Sequence, residues 1–205
     1  MSSSTIVLSD RVWAPPSDRV RAAVRHAVLI IGFAVLTGVL ARYEWKLSFT
    51  PVPITGQTLG VLLAGGTLGW RDGAASQLVY WVLGLVGVPF YSGGASGWKV
   101  ASGATFGYFV GFVVAAAVVG YLAQRRQDRN LATSISAMAL GSVIIYVFGA
   151  GWLAHSVGVP VATGDTNAIS LGVTPFLIGD LIKLALAGAL LPGAWALLDR
   201  GRSDE

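Results

Sequence analysis

Cysteine is absent from the chain, so disulfide bonds and thiol chemistry are excluded. The sequence has only two histidines, His26 and His155, which lie near opposite ends of the chain and form no metal-ligand cluster. None of the three lysines follows a glycine, which excludes a phosphate-binding loop. We therefore predict no metal, no cofactor and no hydrolysis of ATP by that route.

Catalytic motifs are missing as well. The sequence contains no nucleophile elbow and no pair of metal-binding histidines. Asp180 alone offers an acid or base, but catalysis needs further groups positioned around it, and no second group is evident. We therefore predict that the protein is not an enzyme.

Charged residues are scarce, at 12% of the chain, whereas hydrophobic residues make up 54%. An ordinary soluble domain carries roughly 25% charged residues. Uncharged, mostly apolar runs of about 18 or more residues are typical of transmembrane helices. Four segments contain no Asp, Glu, Lys or Arg: 47–70, 73–98, 100–124 and 130–164. These features predict an all-α polytopic membrane protein.

Turn-forming residues separate the apolar segments, and we predict six transmembrane helices in one bundle. Pro175 should kink or loosen the first turns of the sixth helix, because proline cannot donate a backbone hydrogen bond. We predict a flexible cytoplasmic N-terminal tail at 1–18, the transmembrane domain at 19–199 and a cytoplasmic C-terminal tail at 200–205. The predicted helices are about 19–42, 55–70, 73–88, 103–124, 131–156 and 171–198.

Basic residues set the predicted orientation. Six helices put both termini on one side of the membrane, and the side richer in Lys and Arg is usually cytoplasmic. We therefore predict a multi-pass protein of the cell membrane with both termini in the cytoplasm, and we ascribe the net charge of +4 to this orientation rather than to nucleic-acid binding. The ten residues on the side of the termini are Arg11, Arg19, Arg21, Arg25, Arg71, Arg125, Arg126, Arg129, Arg200 and Arg202, against Arg42, Lys46 and Lys99 on the other.

Small residues recur four positions apart in two predicted helices. Such spacing lets another helix approach closely. In the fourth helix the glycines predict tight packing. In the first helix, two alternatives stay open: packing within the chain, or docking to a separate membrane subunit. The residues are Ala23 and Ala27, Ala34 and Gly38, and Gly103, Gly107 and Gly111.

Two opposite charges, Asp180 and Lys183, lie in the middle of the sixth apolar segment. At a spacing of three residues they share one helix face. Ionisable groups at membrane depth are costly and tend to face a cavity or a partner. The pair either fixes helix packing alone, or offers an acceptor and donors to a polar ligand. A pocket here would open outward, beneath the loops 43–53, 89–102 and 157–170.

Further polar and aromatic residues are predicted near this end of the bundle. Gln57 either satisfies neighbouring backbone or faces a ligand. The glycine-rich loop 89–102 carries Phe90, Tyr91 and Trp98, which suit either a pocket wall or an interfacial belt. Such a cavity predicts selective binding of a small, mostly apolar solute with a polar head, but does not name it.

Three motifs occur together in the chain. They are FTPVPITGQT at 49–58 with VLLAG at 61–65, LGLVGVPF at 83–90, and TPFLIGDLIK at 174–183. Their combination, within a similarity that runs from about residue 48 to 193, resembles the signature of the BioY family. These are the biotin-specific membrane components (S components) of energy-coupling-factor (ECF) transporters.

The resemblance implies a six-helix S-component bundle that binds biotin in an outward-facing pocket. It also implies assembly with a transmembrane coupling protein and two ATP-binding cassette ATPases. Asp180 and Lys183 would grip the ureido ring of biotin, the loop 43–53 would gate the pocket, and the small residues of the first helix would form the docking face. The ligand-binding residues implied are Asp180, Lys183, Gln57, Ser96, Trp98 and Tyr108.

The chain departs from the family pattern where the valerate carboxylate of biotin is expected. Ala95 and Phe109 stand where some relatives carry asparagine and arginine, and we take Lys99 as a candidate replacement. The sequence thus predicts a biotin-binding component of a vitamin uptake transporter. The alternatives are a component for another small vitamin-like solute, and a membrane scaffold whose charged pair only orders helices.

Overall fold

A computed structural model describes residues 6–200, and their architecture is helical except for one short two-stranded sheet. Residues 1–5 and 201–205 lie outside the described residues, as do the corresponding parts of both predicted tails. The helices are α1 (Leu8–Val12), α2 (Arg19–Arg42), α3 (Gln57–Leu68), α4 (Trp70–Leu85), α5 (Trp98–Ala101), α6 (Phe106–Gln124), α7 (Leu131–Val157), α8 (Ala168–Gly172) and α9 (Leu177–Arg200). The strands are β1 (Glu44–Trp45) and β2 (Ile54–Thr55), and 3₁₀ turns span Ser92–Gly94 and Thr174–Phe176.

Four helical segments are long and apolar enough to cross a membrane, judged by length and composition. The helix Gln57–Leu68 is apolar but shorter. The predicted helical class is therefore confirmed, whereas six crossings stay a prediction. The four segments are Arg19–Arg42, Phe106–Gln124, Leu131–Val157 and Ala168–Arg200.

The junction between α3 and α4 falls earlier than the sequence predicts. Gly69 alone separates the two helices, with φ of +82°. Glycine adopts this left-handed conformation without steric cost. Arg71 and Asp72, which fall between the predicted helices 55–70 and 73–88, lie instead in the first turn of α4. A carboxylate is favoured there by the positive end of the helix dipole.

The sixth predicted helix is interrupted where Pro175 was expected to loosen it. After α8, residues Thr174–Phe176 form a 3₁₀ turn, and α9 begins at Leu177. Proline at the start of this turn removes no helical hydrogen bond. The break places Asp180 in the first turn of α9.

Helix α6 is the centre of the bundle and packs against α3, α4 and α7. A Cβ atom at Gly107 would collide with the Phe148 carbonyl of α7, and one at Gly111 would lie 2.9 Å from Ile145 Cα. These close approaches confirm the tight packing predicted from the glycine row. They hold α7 directly against α6, at the end of the bundle that carries the candidate site.

The small residues of α2 divide into two groups. Ala34 and Gly38 are buried, and Gly38 lies against the ring of Phe90. Ala23 and Ala27 are exposed. Packing within the chain therefore accounts for Ala34 and Gly38. Only Ala23 and Ala27 are left on the surface for a contact with another subunit.

A short helix, α1, occupies part of the segment predicted to be a flexible tail. Val7 and Leu8 are buried against the bundle. Arg25 of α2 is only 1% exposed and donates to the Asp10 carboxylate at 2.9 Å and to the Trp13 carbonyl at 2.7 Å. A buried guanidinium requires such partners. Because Arg25 needs Asp10 and Trp13 as partners, this part of the predicted tail is held against α2.

Candidate ligand-binding site

A cavity of about 270 Å³ lies at one end of the bundle. Its size is close to the lower limit of typical ligand pockets, about 300 Å³. Side chains from α3, α6, α7 and α9 form its walls, together with the glycine-rich loop and the β1–β2 segment. The walls are mainly aromatic and aliphatic, with Tyr91, Tyr108, Phe109, Phe112, Tyr146 and Phe176 among them.

Asp180 and Lys183 both line this cavity and also contact each other. Lys183 Nζ donates to Asp180 Oδ1 at 2.6 Å, and the two side chains are 16% and 10% exposed. The break before α9 puts the Asp180 carboxylate in the first helical turn, where the helix dipole favours an anion. The pair is thus a helix contact and a polar patch in an apolar wall at the same time.

Two hydroxyl groups complete the surroundings of Asp180. Thr58 Oγ1 donates to Asp180 Oδ1 at 3.1 Å, and the Tyr146 hydroxyl donates to Oδ2 at 2.5 Å. An ionised carboxylate has about four lone-pair positions. With Lys183, these donors occupy three and leave one for a ligand N–H group. Tyr146 was not among the predicted site residues, because a single tyrosine in an apolar helix usually only packs.

Gln57 also faces the cavity, and its amide is held by side chains rather than by backbone. Gln57 Nε2 donates to the Tyr80 hydroxyl at 2.5 Å, and Thr55 Oγ1 donates to Gln57 Oε1 at 2.6 Å. These bonds fix the amide in one orientation at the start of α3. Gln57 is therefore a positioned polar group at the rim of the apolar wall.

Tyr108 is buried and contributes its ring to the wall. Its hydroxyl donates to the Gly172 carbonyl at 2.6 Å. The ring packs so closely on Gly149 of α7 that a Cβ atom there would collide with it. Tyr108 thus serves as an immobile apolar surface, because its hydroxyl is already bonded to α8.

Two predicted site residues, Ser96 and Trp98, are not in the cavity wall. Gly97 has φ of +88° and donates its N–H to the Gly84 carbonyl at 2.8 Å, which turns the chain into α5. Trp98 consequently points outward and is 67% exposed. Lys99 is exposed as well and lies outside the wall, so the structure does not support it as the carboxylate partner.

Residues 44–55, here called the lid, overlap the loop 43–53 that was predicted to be a gate. Glu44 pairs with Thr55 and Trp45 with Ile54 in an antiparallel hairpin. The tip is attached to α8 by a hydrogen bond from Thr50 Oγ1 to the Leu171 carbonyl at 2.7 Å. Lid residues also line the cavity. The lid thus covers the cavity on this side, with Val52 buried in the hydrophobic core.

Glu44 attaches the base of the lid to the glycine-rich loop. Its carboxylate accepts from Ser92 Oγ at 2.6 Å and from Lys46 Nζ at 2.8 Å. Burial acts to raise the pKa of Glu44, but the hydrogen bonds from Lys46 and Ser92 outweigh it and lower the pKa. Glu44 is therefore ionised at neutral pH. Nearby, burial raises the pKa of Tyr91 to about 12, so its hydroxyl stays a donor, bonded to the Trp81 carbonyl.

This arrangement of helices is shared with a solved structure, the S-component for biotin from an ECF-type ABC transporter. The two match with a TM-score of 0.75 and 24% sequence identity, over 86% of this chain and 93% of that one. The protein therefore has the fold of a transporter S component.

Sequence comparison gives the family. The BioY family model matches residues 14–200, and the chain belongs to the BioY family. The biotin transporter BioY of Rhizobium etli is 38% identical over 152 residues, which cover 71% of this chain and 79% of the relative. The probable biotin transporter BioY of Pyrococcus horikoshii is 37% identical over 163 residues, 80% of this chain and 91% of the relative.

The family assignment confirms the resemblance found in the sequence. It makes the chain a multi-pass membrane protein of a transporter family and not an enzyme, in agreement with the apolar helices. The roles of individual cavity residues in binding stay predictions.

Removing the hydroxyl of Thr50 should loosen the lid. In Thr50→Val the bond to the Leu171 carbonyl and the bond accepted from the Val52 N–H are both lost, which costs at least about 1 kcal/mol, so amides of 46–55 should exchange hydrogen at least about five times faster. Hydrogen exchange with mass spectrometry in detergent measures this. Thr163→Val, in an exposed loop, is the matched control. Unchanged exchange in the lid of Thr50→Val would show that the hydrogen bonds of the Thr50 hydroxyl do not hold the lid in place.

Proposed function

We propose that the protein captures biotin in the cavity and is the substrate-binding component of a biotin uptake transporter. The observation that carries this proposal is the largely buried Asp180–Lys183 pair lining a mainly apolar cavity in a member of the BioY family. Relatives described as biotin transporters support the choice of ligand.

The chemistry of the cavity suits the two ends of biotin. An N–H group of the ureido ring can donate to the free position on Asp180, and the ureido carbonyl can accept from Lys183, which has three donors. The aromatic walls suit the apolar ring system and chain. An analogue without the matching groups would leave buried charges without ligand partners, which makes such a site selective.

The two alternatives are less well supported. In a membrane scaffold the charged pair would only order helices. Asp180 and Lys183, however, both line the cavity. A different small vitamin-like ligand would fit the cavity in general terms, but the relatives argue for biotin.

We also propose six membrane crossings, with both termini in the cytoplasm of the cell. The shorter helices α3 and α4 would supply the two crossings beyond the four long helical segments. The excess of arginine on the side of the termini supports the orientation. The exposed Ala23 and Ala27 of α2 would let a transmembrane coupling protein approach closely, and two ATP-binding cassette ATPases would complete the transporter.

Changes to the charged pair should abolish tight biotin binding. Removing one partner of a buried, hydrogen-bonded charge pair costs about 2–5 kcal/mol. Asp180→Asn and Lys183→Met should therefore weaken biotin by at least about 30-fold, measured by calorimetry on purified protein in detergent. Lys99→Met, outside the cavity, is the matched control and should bind as the parent protein does.

Thermal unfolding of the same variants separates binding from folding. Folded Asp180→Asn and Lys183→Met proteins that still bind biotin at the parent affinity would contradict the proposed site. Parent protein that binds no biotin would contradict the proposed function itself.

Single cysteines test the orientation directly, because the chain has none of its own. Ser17 and Thr163 are both exposed. A membrane-impermeant maleimide should label Thr163→Cys in intact cells, and should label Ser17→Cys only after the cells are opened. Labelling of Ser17→Cys in intact cells would reverse the proposed orientation.

A further inference from the structure

Two cationic side chains of the described residues line the cavity, Lys46 and Lys183. Lys183 is largely buried and bonded to Asp180 at 2.6 Å. Lys46 belongs to the lid, is 79% exposed and lies 2.8 Å from Glu44. One cation is therefore deep in the wall and the other is at the solvent-facing edge.

A ligand with a carboxylate adds a negative charge to a site whose charges are already matched. Asp180 and Lys183 neutralise each other, as do Glu44 and Lys46. Burying a further anion without a partner is costly. The carboxylate therefore has to lie where water and a cation with spare donors are both available. Lys46 meets these conditions, since Glu44 uses one of its three N–H donors.

We propose that Lys46 binds the carboxylate of the ligand at the edge of the cavity and favours acids over their neutral amides. The inference rests on the proposed function, in which Asp180 and Lys183 hold the ureido end. The opposite end of the same molecule then points toward the lid. Lys46 takes the role that the sequence suggested for Lys99.

Glu44 makes the inference specific, because it competes with the ligand for Lys46. When Lys46 turns to the ligand, Glu44 keeps its hydrogen bond from Ser92 and is not left without a partner. Removing Lys46 deletes the cation and also exposes the charge of Glu44 to the ligand. Removing the charge of Glu44 frees Lys46. The two changes should therefore shift the preference for acids in opposite directions.

The test compares biotin with uncharged biotinamide at low salt, by calorimetry in detergent. We take the ratio of the two affinities as the readout, because effects on the lid or on the ureido site alter both ligands alike. In Lys46→Met the preference for biotin should fall about fivefold, as expected for a partly exposed ion pair. In Glu44→Gln the preference for biotin should rise, and in Lys46→Arg it should be kept. In Lys99→Met, the matched control, the preference should not change.

Each other outcome has a defined meaning. Equal weakening of both ligands by Lys46→Met, or no change in either, would overturn the role of Lys46 while leaving the proposed function intact. A smaller preference in Lys99→Met than in Lys46→Met would return the role to Lys99. Parent protein that binds neither biotin nor biotinamide would reject the proposed function, and this inference with it.

Discussion

The acidic side chain of Asp180, which is only 10% exposed, is the constraint on which the functional end of the molecule depends. Such a group is tolerated only with close, well-directed partners. The structure supplies them from three helices: Lys183 of α9, Thr58 of α3 and Tyr146 of α7. The same contacts therefore join these helices and place a charged pair deep in a mainly apolar cavity wall.

The remaining elements bring those helices together and close the space between them. Glycines on α6 allow α7 to approach within backbone contact, which sets the position of Tyr146. The break at Pro175 allows α9 to begin just before Asp180. The lid covers the cavity through hydrogen bonds made by Thr50 and Glu44. The packed walls and the lid together enclose a space in which a small molecule would be retained.

Several of these features could be predicted from the sequence, and the reasons are physical. Asp180 and Lys183 stand out because charge is rare in an apolar run. Tyr146 could not be singled out, since its role depends on how α7 is rotated against α9. The outward direction of Trp98 could not be predicted, because it depends on the backbone turn at Gly97 just before it. The helix α1 was missed because it depends on distant contacts, above all with Arg25.

The central claim is that Asp180 and Lys183 bind the ligand and do not serve helix packing alone. The most direct test is the biotin affinity of the exchanged variant, Asp180→Lys with Lys183→Asp, compared with its thermal stability. An ion pair three residues apart survives the exchange, whereas the donor and acceptor offered to the ligand change places. We predict that the exchanged protein is more stable than Asp180→Lys alone or Lys183→Asp alone. We also predict that it binds biotin at least about 30-fold more weakly than the parent protein does. Retained affinity in the exchanged protein would contradict the account.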